Sequence, residues 1–475
     1  MEFHVSLLGR DDLTGQIYQQ VKEAVLDGRL RPGDVLPPTR ELAVRLEVAR
    51  NTVSAAYDRL TAEGFVAARA GAGTYVQAAG FERPPQPASG KGLRPRAIWD
   101  EVGVPLIDTE PVEFDFRAGV PDAKLFPYAT WRRLMARQFT PTAIGSMAHD
   151  AAASHPGLCA ALARHVGVSR AVRATAEDVL VTNGAQQALD LIARVLLEPG
   201  TVVAVEDPGY FGPRHMFASH GAKVVGVPVD SEGLVVDALP SNARLVYVTP
   251  SHQFPLGVPM SLPRRTALLD WAERTGAVIV EDDYDSEFRF SGRPIEPLQN
   301  IDRTGRVIYV SSLSKVLLPS LRLGFLIAPP SLRRALQAAK YVSDWQSARP
   351  LQGALAEFID EGQFARHIRR TRREYQARHD RITAILRSDF AGLLEPLPAV
   401  AGIHLCAYLC EDAPDRDVYY RAREAGVGVY VLSAFRMKRA GRGGLVIGYG
   451  SIALSDIDSG LRRLRACIKP ATIRR

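Results

Sequence analysis

Val310-Ser-Ser-Leu-Ser-Lys315 runs from the end of an apolar strand into a hydroxyl-rich turn that presents one lysine, and Arg322 follows seven residues on. Lysine is scarce in this chain: eight of its 59 basic residues are lysines. Arginine keeps its proton at ordinary pH, whereas a partly buried lysine can lose it. A lysine held among hydroxyls at a strand end therefore points to amine chemistry, such as a Schiff base to an aldehyde cofactor. A lysine after serines is also an ordinary helix-entry residue, so the rest of the chain has to supply its partners.

Around that turn, residues 113–475 alternate strand and helix patterns, with a large part at about 160–350 and a small α+β part at about 360–475. Short apolar strands are expected at 179–182, 202–206, 223–228, 245–249, 278–282, 307–311 and 323–328, with helices such as 186–197 and 264–274 between them. That rhythm predicts an α/β fold, a mostly parallel sheet wrapped by helices. Sites in such sheets form at the carboxyl ends of the strands. There the chain places Gly184, Ala185 and Gln186 at a glycine turn entering a helix, whose free amides suit a phosphate. Tyr210 follows Glu206-Asp-Pro-Gly and can stack on a flat ring. Glu281-Asp-Asp-Tyr-Asp285 supplies carboxylates and the phenol of Tyr284. A phosphate cradle, a stacking ring, a carboxylate, a phenol and an amine are what pyridoxal phosphate needs: the carboxylate keeps the pyridine nitrogen protonated, and the amine carries the aldehyde.

Residues 1–77 read as a separate unit. An amphipathic helix over 13–26, a helix over 40–46, a second helix from Arg50 to Glu63 and two short strands about a glycine turn make a winged helix-turn-helix plan. Arg50, Asn51 and Thr52 fall on the first turn of the second helix, the end that enters the major groove in this motif. Arg40 can reach a phosphate, and the glycines at 71 and 73 let the wing approach the duplex. A small helical protein-interaction domain is the bland alternative. Residues 78–112, rich in Pro, Gly, Ser and basic residues, read as a flexible linker. Arg366-His-Ile-Arg-Arg-Thr-Arg-Arg373 is a basic run on a helix, usually a solvated face, with contact to DNA flanks as the lesser reading.

The stretch LPPTRELAVRLEVARNTVSAAYDRLTAEGFVAARAGAGTYV closely resembles the head of GntR-type bacterial regulators. The resemblance implies DNA contacts from Arg40, Arg50, Asn51, Thr52 and the wing Gly71–Thr74, including Gly73. Ala49 stands where that family usually has Ser or Thr. Residues from about 114 to 470 look like the fold-type I aminotransferase domain, and TNGAQQALDL, EDPGY, TPSHQFPLGVPM, EDDYDSEFR and SLSKVLLPSLRLGFL resemble the MocR family, which joins the two domains. This implies Lys315 as the Schiff-base lysine, Asp282 as partner of the pyridine nitrogen, Tyr284 on the ring hydroxyl and Tyr210 stacked on the ring. Gly184, Ala185, Gln186, Ser312 and Arg322 would hold the phosphate.

Three departures bear on the activity implied. Phe254 stands where aminotransferases have an Asn, and Val446 stands in place of the Arg that clamps a substrate carboxylate. Residues 145–156 lack the tyrosine of the loop that reaches the partner subunit's cofactor. The expected protein is thus a PLP-binding transcriptional regulator that senses PLP or an amine or amino-acid adduct of it, with double-stranded DNA as partner and a homodimeric assembly. The alternative is an active PLP-dependent aminotransferase with an accessory DNA-binding head. Efficient turnover is not expected; a transaminase-type half-reaction stays open.

Composition sets the outer bounds. A chain of 475 residues holds two or three domains, and 46% hydrophobic with 23% charged residues is ordinary for a soluble globular protein. No apolar run approaches a membrane span and the N-terminus lacks the pattern of a signal peptide, so a cytoplasmic protein is expected. Four cysteines (159, 406, 410 and 467) are expected to be reduced and packed. His404, Cys406 and Cys410 lie on a segment that alternates like a strand, with no second ligand pair nearby, so no metal site is expected. The net charge of +7 favours an anionic partner without localising it.

Overall fold

The computed structural model describes residues 5–7, 9, 11–69, 73–77, 94–102, 110–143, 154–290, 295–411, 414–437 and 441–468. Most of the expected linker and of the 145–156 segment lies outside these residues. The chain divides into two compact units, Met1–Pro95 and Arg96–Arg475.

In the first unit, α1 (Leu13–Leu26) buries Ile17, Tyr18, Val21 and Ala24. Helix α2 (Thr39–Arg45) and helix α3 (Arg50–Ala62) follow. Val53, Ala56, Tyr57 and Leu60 recur at three- and four-residue steps on α3, so one face of the helix is buried and the rest stays in water. The Tyr57 hydroxyl donates to the Pro37 carbonyl at 3.0 Å, which fixes α3 against the entry of α2. Gly64, at φ +81°, turns the chain out of α3. Strands β1 (Val35–Leu36), β2 (Val66–Arg69) and β3 (Gly73–Val76) form an antiparallel sheet in the order β1-β3-β2, with Arg69 opposite Gly73.

The second unit is built on an eight-stranded sheet. Its strands are β4 (Val179–Thr182), β5 (Val202–Asp207), β6 (Lys223–Asp230), β7 (Gly233–Leu234), β8 (Leu245–Val248), β9 (Val278–Asp283), β10 (Val307–Ser312) and β11 (Gly324–Ile327). The order is β4-β11-β10-β9-β8-β5-β6-β7. Strands β10, β9, β8, β5 and β6 run parallel, and β11 is antiparallel to both of its neighbours. The carboxyl ends of β4, β5, β8, β9 and β10 therefore lie along one edge. Every residue of β4, β8, β9, β10 and β11 is buried, as expected of strands covered on both faces.

A second, antiparallel sheet holds β12 (Leu394–Pro396), β13 (His404–Leu409), β14 (Tyr430–Val431) and β15 (Gly444–Gly448) in the order β12-β13-β15-β14. The sequence suggests alternation in β13, but all of its residues except Tyr408 are buried, because both faces are covered. Cys159, Cys406 and Cys467 are free and buried, whereas Cys410 is exposed, a correction to the expectation that all four thiols are packed.

Two glycines set how closely the elements approach. Helix α4 (Ala185–Leu196) is entered through Gly184 at φ +80°, a left-handed backbone that only glycine adopts cheaply. A Cβ on Gly324 would lie 2.8 Å from Gly184 Cα and 3.0 Å from the Ser311 carbonyl oxygen. Both obstacles are backbone and cannot swing away. Gly324→Ala is expected to destabilise the second unit by about 1–3 kcal/mol, read as a lower urea midpoint with an unchanged slope. An unchanged midpoint would contradict this packing.

Candidate functional site

Strand alternation decides which acid at the end of β9 faces the sheet's functional edge. Successive side chains point to opposite faces, so Glu281 and Asp283 share one face and Asp282 takes the other. Glu281 accepts the backbone N–H groups of Leu298 and Gln299, and burial pushes it up to about 7. Burial also opposes the charge on Asp283, yet Arg170 at 2.8 Å and the Tyr309 hydroxyl at 2.6 Å hold it below the usual carboxylate range. Asp282 has no such cation. Burial pushes it up to about 7 against one hydrogen bond, donated by the Tyr247 hydroxyl to Oδ2 at 2.6 Å. Its Oδ1 is buried with no partner.

Lys315 lies beyond the end of β10, the strand that pairs with β9. Its ammonium donates to the Gly119 carbonyl at 2.7 Å. Burial lowers its pKa, and the carboxylates of Asp285 and Asp282 oppose that. The edge thus combines a half-buried amine that gives up its proton more easily than usual with a carboxylate oxygen that lacks a donor.

Between β4 and α4, the backbone forms a small cup. Gly184 is buried, Ala185 is half-buried and Gln186 is exposed on the first turn of α4, where amides lack intrahelical partners. Arg322, itself at φ +50°, donates to the Asn183 carbonyl at 3.0 Å. A Cβ on Gly184 would sit 3.0 Å from the Arg322 Nη2 atom, so the guanidinium lies directly over the glycine. Ser312, buried at the end of β10, donates to the Ser314 hydroxyl at 3.0 Å. Glycine turn, helix start, hydroxyls and guanidinium together suit a dianionic group.

Tyr210 is 37% exposed, and its ring lies 5.8 Å from that of Phe254. Phe254 in turn meets Tyr284 at 6.1 Å, His404 at 5.1 Å and Phe435 at 5.0 Å, so a ring cluster borders the edge. The Tyr284 hydroxyl donates to the His252 carbonyl at 2.9 Å and lies 3.0 Å from His252 Nδ1. Asp285 Oδ2 is 3.1 Å from the same nitrogen. Nothing in the sequence singles out Gly119 or Tyr247; His252 and Asp285 stand at polar strand exits, but their pairing with each other and with Tyr284 is not visible there. His252, Asp285 and His404 each offer one ligand atom within 4.8 Å of the others, the lone such group among the described residues. His404 is held neutral, with burial first and the neighbouring His252 second pulling its pKa well below the usual range.

Val446 is fully buried on β15 in an apolar cluster with Leu256, Val258, Cys406, Leu432 and Phe435. Two nearby arginines have other partners. Arg442 pairs with Glu395 at 2.6 Å and donates to the Leu409 carbonyl, and Arg436 donates to the Arg442 carbonyl. Arg439 lies outside the described residues.

In the first unit, Arg40, Arg50 and Asn51 are exposed and Thr52 is half-buried. Arg50 Nε reaches the Thr39 hydroxyl at 3.4 Å, bringing the start of α3 beside the start of α2. Gly73 is exposed and Thr74 half-buried on the wing, while Gly71 lies outside the described residues. Ala49 is the N-cap of α3 and offers no side-chain hydrogen bond. No helix among the described residues is long and apolar enough to cross a membrane.

The sequence pattern of the aminotransferase class I and II family matches residues 144–443, and that of the gntR family of bacterial regulatory proteins matches residues 13–76. The chain is 37% identical to the probable rhizopine catabolism regulatory protein MocR of Rhizobium meliloti, over 95% of this chain and 92% of that one. It is 32% identical to the pyridoxine biosynthesis transcriptional regulator PdxR of Corynebacterium glutamicum, over 92% and 91%. Among solved structures, it is similar to the α-aminoadipate aminotransferase LysN of Thermus thermophilus, complexed with N-(5'-phosphopyridoxyl)-L-leucine. There the TM-score is 0.68 and the identity 29%, over 75% of this chain and 92% of that one.

Two outcomes follow. Ala49→Ser restores an N-cap acceptor and is expected to stabilise the first unit by about 0.5–2 kcal/mol in thermal melts; no gain would contradict the cap assignment. Asp282 has a folded pKa of about 7, above its ordinary value of 3.8, so its contribution is present at low pH and is lost as pH rises through about 7. In the cofactor-free protein, Asp282→Asn is therefore expected to gain stability relative to wild type between pH 4 and 7, by a few kcal/mol at most. A difference that is flat across that window in urea unfolding would contradict the buried, unpaired carboxyl.

Proposed function

The chain belongs to the MocR-type transcriptional regulators, which join a gntR-family DNA-binding head to an aminotransferase class I and II domain, and we propose that it binds pyridoxal phosphate at Lys315 as its sensed group. The observation that carries the reading is the buried Asp282 Oδ1 without a donor, on the same strand edge as a half-buried lysine amine. A pyridinium N–H fits that oxygen and would favour the charged carboxylate. Gly184, Ala185, Gln186, Ser312 and Arg322 suit the phosphate, and Tyr210 suits the ring face. Tyr284, held by His252, lies beside the ring cluster and is available to a ring hydroxyl through its remaining lone pairs.

When bound, the group supplies a carbonyl carbon that a primary amine can attack. The lowered pKa of Lys315 keeps more of its amine free to form that bond. Were the Lys315 amine released from that group and protonated, the Gly119 carbonyl would be at hand to accept from it, as it does in the present structure. Gly119 lies on the segment that enters the second unit after the linker, and Phe116 on that segment accepts from Gly448 at the end of β15 at 2.7 Å. A lysine that binds either the cofactor or this segment gives two states for the ligand to choose between.

In the head, Arg50, Asn51 and Thr52 are the proposed base readers, with Arg40, Gly73 and Thr74 on the backbone. A homodimer would present two heads to a repeated site, and a cytoplasmic setting fits this role. Val446 among apolar neighbours supports sensing over rapid turnover, because no cation clamps a carboxylate there.

Incubation with pyridoxal phosphate, then borohydride reduction and peptide mass analysis, tests the linkage. The phosphopyridoxyl mass is expected on the peptide that contains Lys315 and is expected to vanish in Lys315→Ala. Equal labelling of that variant would overturn the assignment.

A further inference from the structure

Helix α5 (Gln363–Asp389) carries two faces of opposite character. Its inner face buries Phe364, His367, Thr371, Tyr375 and Ile382. His367 Nε2 lies 2.7 Å from the carbonyl of Val316, the residue after Lys315, and Tyr375 accepts the Asp122 amide. The helix is therefore held firmly against the lysine turn. Its outer face carries Arg366, Arg369, Arg370 and Arg373, all exposed. At 3.6 residues per turn these four fall within about 100° of arc, opposite the buried face.

Among the described residues no carboxylate neutralises the four charges. Arg366 donates only to the neutral Gln363 side chain, at 2.9 Å. Among the described residues none of the four has an ion-pair partner. Glu374, the one carboxylate between residues 363 and 375, is exposed at the flank and also unpaired. Several exposed arginines elsewhere in this unit are paired, as Arg133 and Arg137 are with Glu361, Arg137 with Glu357 and Arg164 with Asp360, and others such as Arg334 and Arg387 stand singly; what distinguishes the strip is four charges aligned on one face. Like charges three and four residues apart repel one another on a helix. A strip that keeps four of them aligned on a rigid helix is complementary to a regular anion.

We propose that this arginine strip is a second nucleic-acid contact surface, which takes the phosphate backbone of DNA flanking the site read by the head. Backbone phosphates are regularly spaced anions, and guanidinium groups bind them with paired donors and without sequence preference. The proposal rests on the chain being a DNA-binding regulator and is independent of the cofactor reading.

Binding of the full chain to a random-sequence duplex of several helical turns, measured over a range of salt, tests it. The wild type is compared with the fourfold variants Arg366→Gln/Arg369→Gln/Arg370→Gln/Arg373→Gln and the corresponding Arg→Lys. The Gln variant is expected to lose about three to four from the slope of log affinity against log salt, one for each phosphate contact removed, and the Lys variant to keep it. Circular dichroism establishes that each variant is folded; both keep good helix formers on the solvent face. Equal slopes for wild type and the Gln variant would overturn the strip alone. So would loss of slope in both variants, since charge would then not be the cause. Failure of the wild type to bind any duplex would overturn the DNA-binding reading and the strip with it. Equal slopes together with wild-type capture by phosphatidylglycerol vesicles would assign the face to a lipid surface instead.

Discussion

Burying Asp282 without a directly bonded cation is the constraint on which the rest of this site depends. A carboxylate taken out of water loses its hydration, and the loss must be met by hydrogen bonds or by a proton. The charge of each neighbour is met: Asp283 at Oδ2 by Arg170 and Tyr309, although its Oδ1 also lacks a partner, and Glu281 by two backbone amides. Asp282 receives only the Tyr247 hydroxyl and is pushed up to about 7. The alternation of β9 does not let it share the cation on the other face. Folding therefore produces an acceptor that water cannot reach and protein does not satisfy, next to an amine whose charge burial also disfavours.

Much of this arrangement could be read in the sequence because it is local. Strand exits are short, and the turn after each one carries its chemistry in a few adjacent letters: Thr-Asn-Gly-Ala-Gln, Glu-Asp-Pro-Gly-Tyr, Ser-Ser-Leu-Ser-Lys. Apolar spacing at three and four residues likewise marked the buried face of α3. What could not be read depends on long-range contact. Gly119 meets Lys315 across 196 residues of sequence, and Tyr247 sits in the middle of an apolar strand where nothing distinguishes its hydroxyl. His252 was visible as a residue but not as the partner of Tyr284 and Asp285. Strand β13 misled for a related reason: its letters alternate, but its packing is two-sided, so only Tyr408 keeps partial exposure.

The two units divide the work along physical lines. The head places exposed arginine and asparagine at the start of one helix, on a small core of buried apolar side chains. The larger unit spends its core on holding strand ends in register, where sub-ångström placement decides whether an amine, a carboxylate and a glycine cup meet one small molecule. Gly184 and Gly324 show how little slack there is, since a single methyl group at the latter would strike backbone on both sides. Val446, where an arginine would give a carboxylate a fixed seat, lies instead among aliphatic and aromatic neighbours. The site is thereby suited to holding a ligand and registering its exchange.

On the proposed reading, what is bound at Lys315 would change how the head holds DNA. Binding of the full chain to the intergenic duplex beside its own gene, titrated with pyridoxal phosphate, measures that link directly. A severalfold change in the dissociation constant is expected for the wild type and none for Lys315→Ala. An identical response in both proteins, or no response in the wild type, would contradict it.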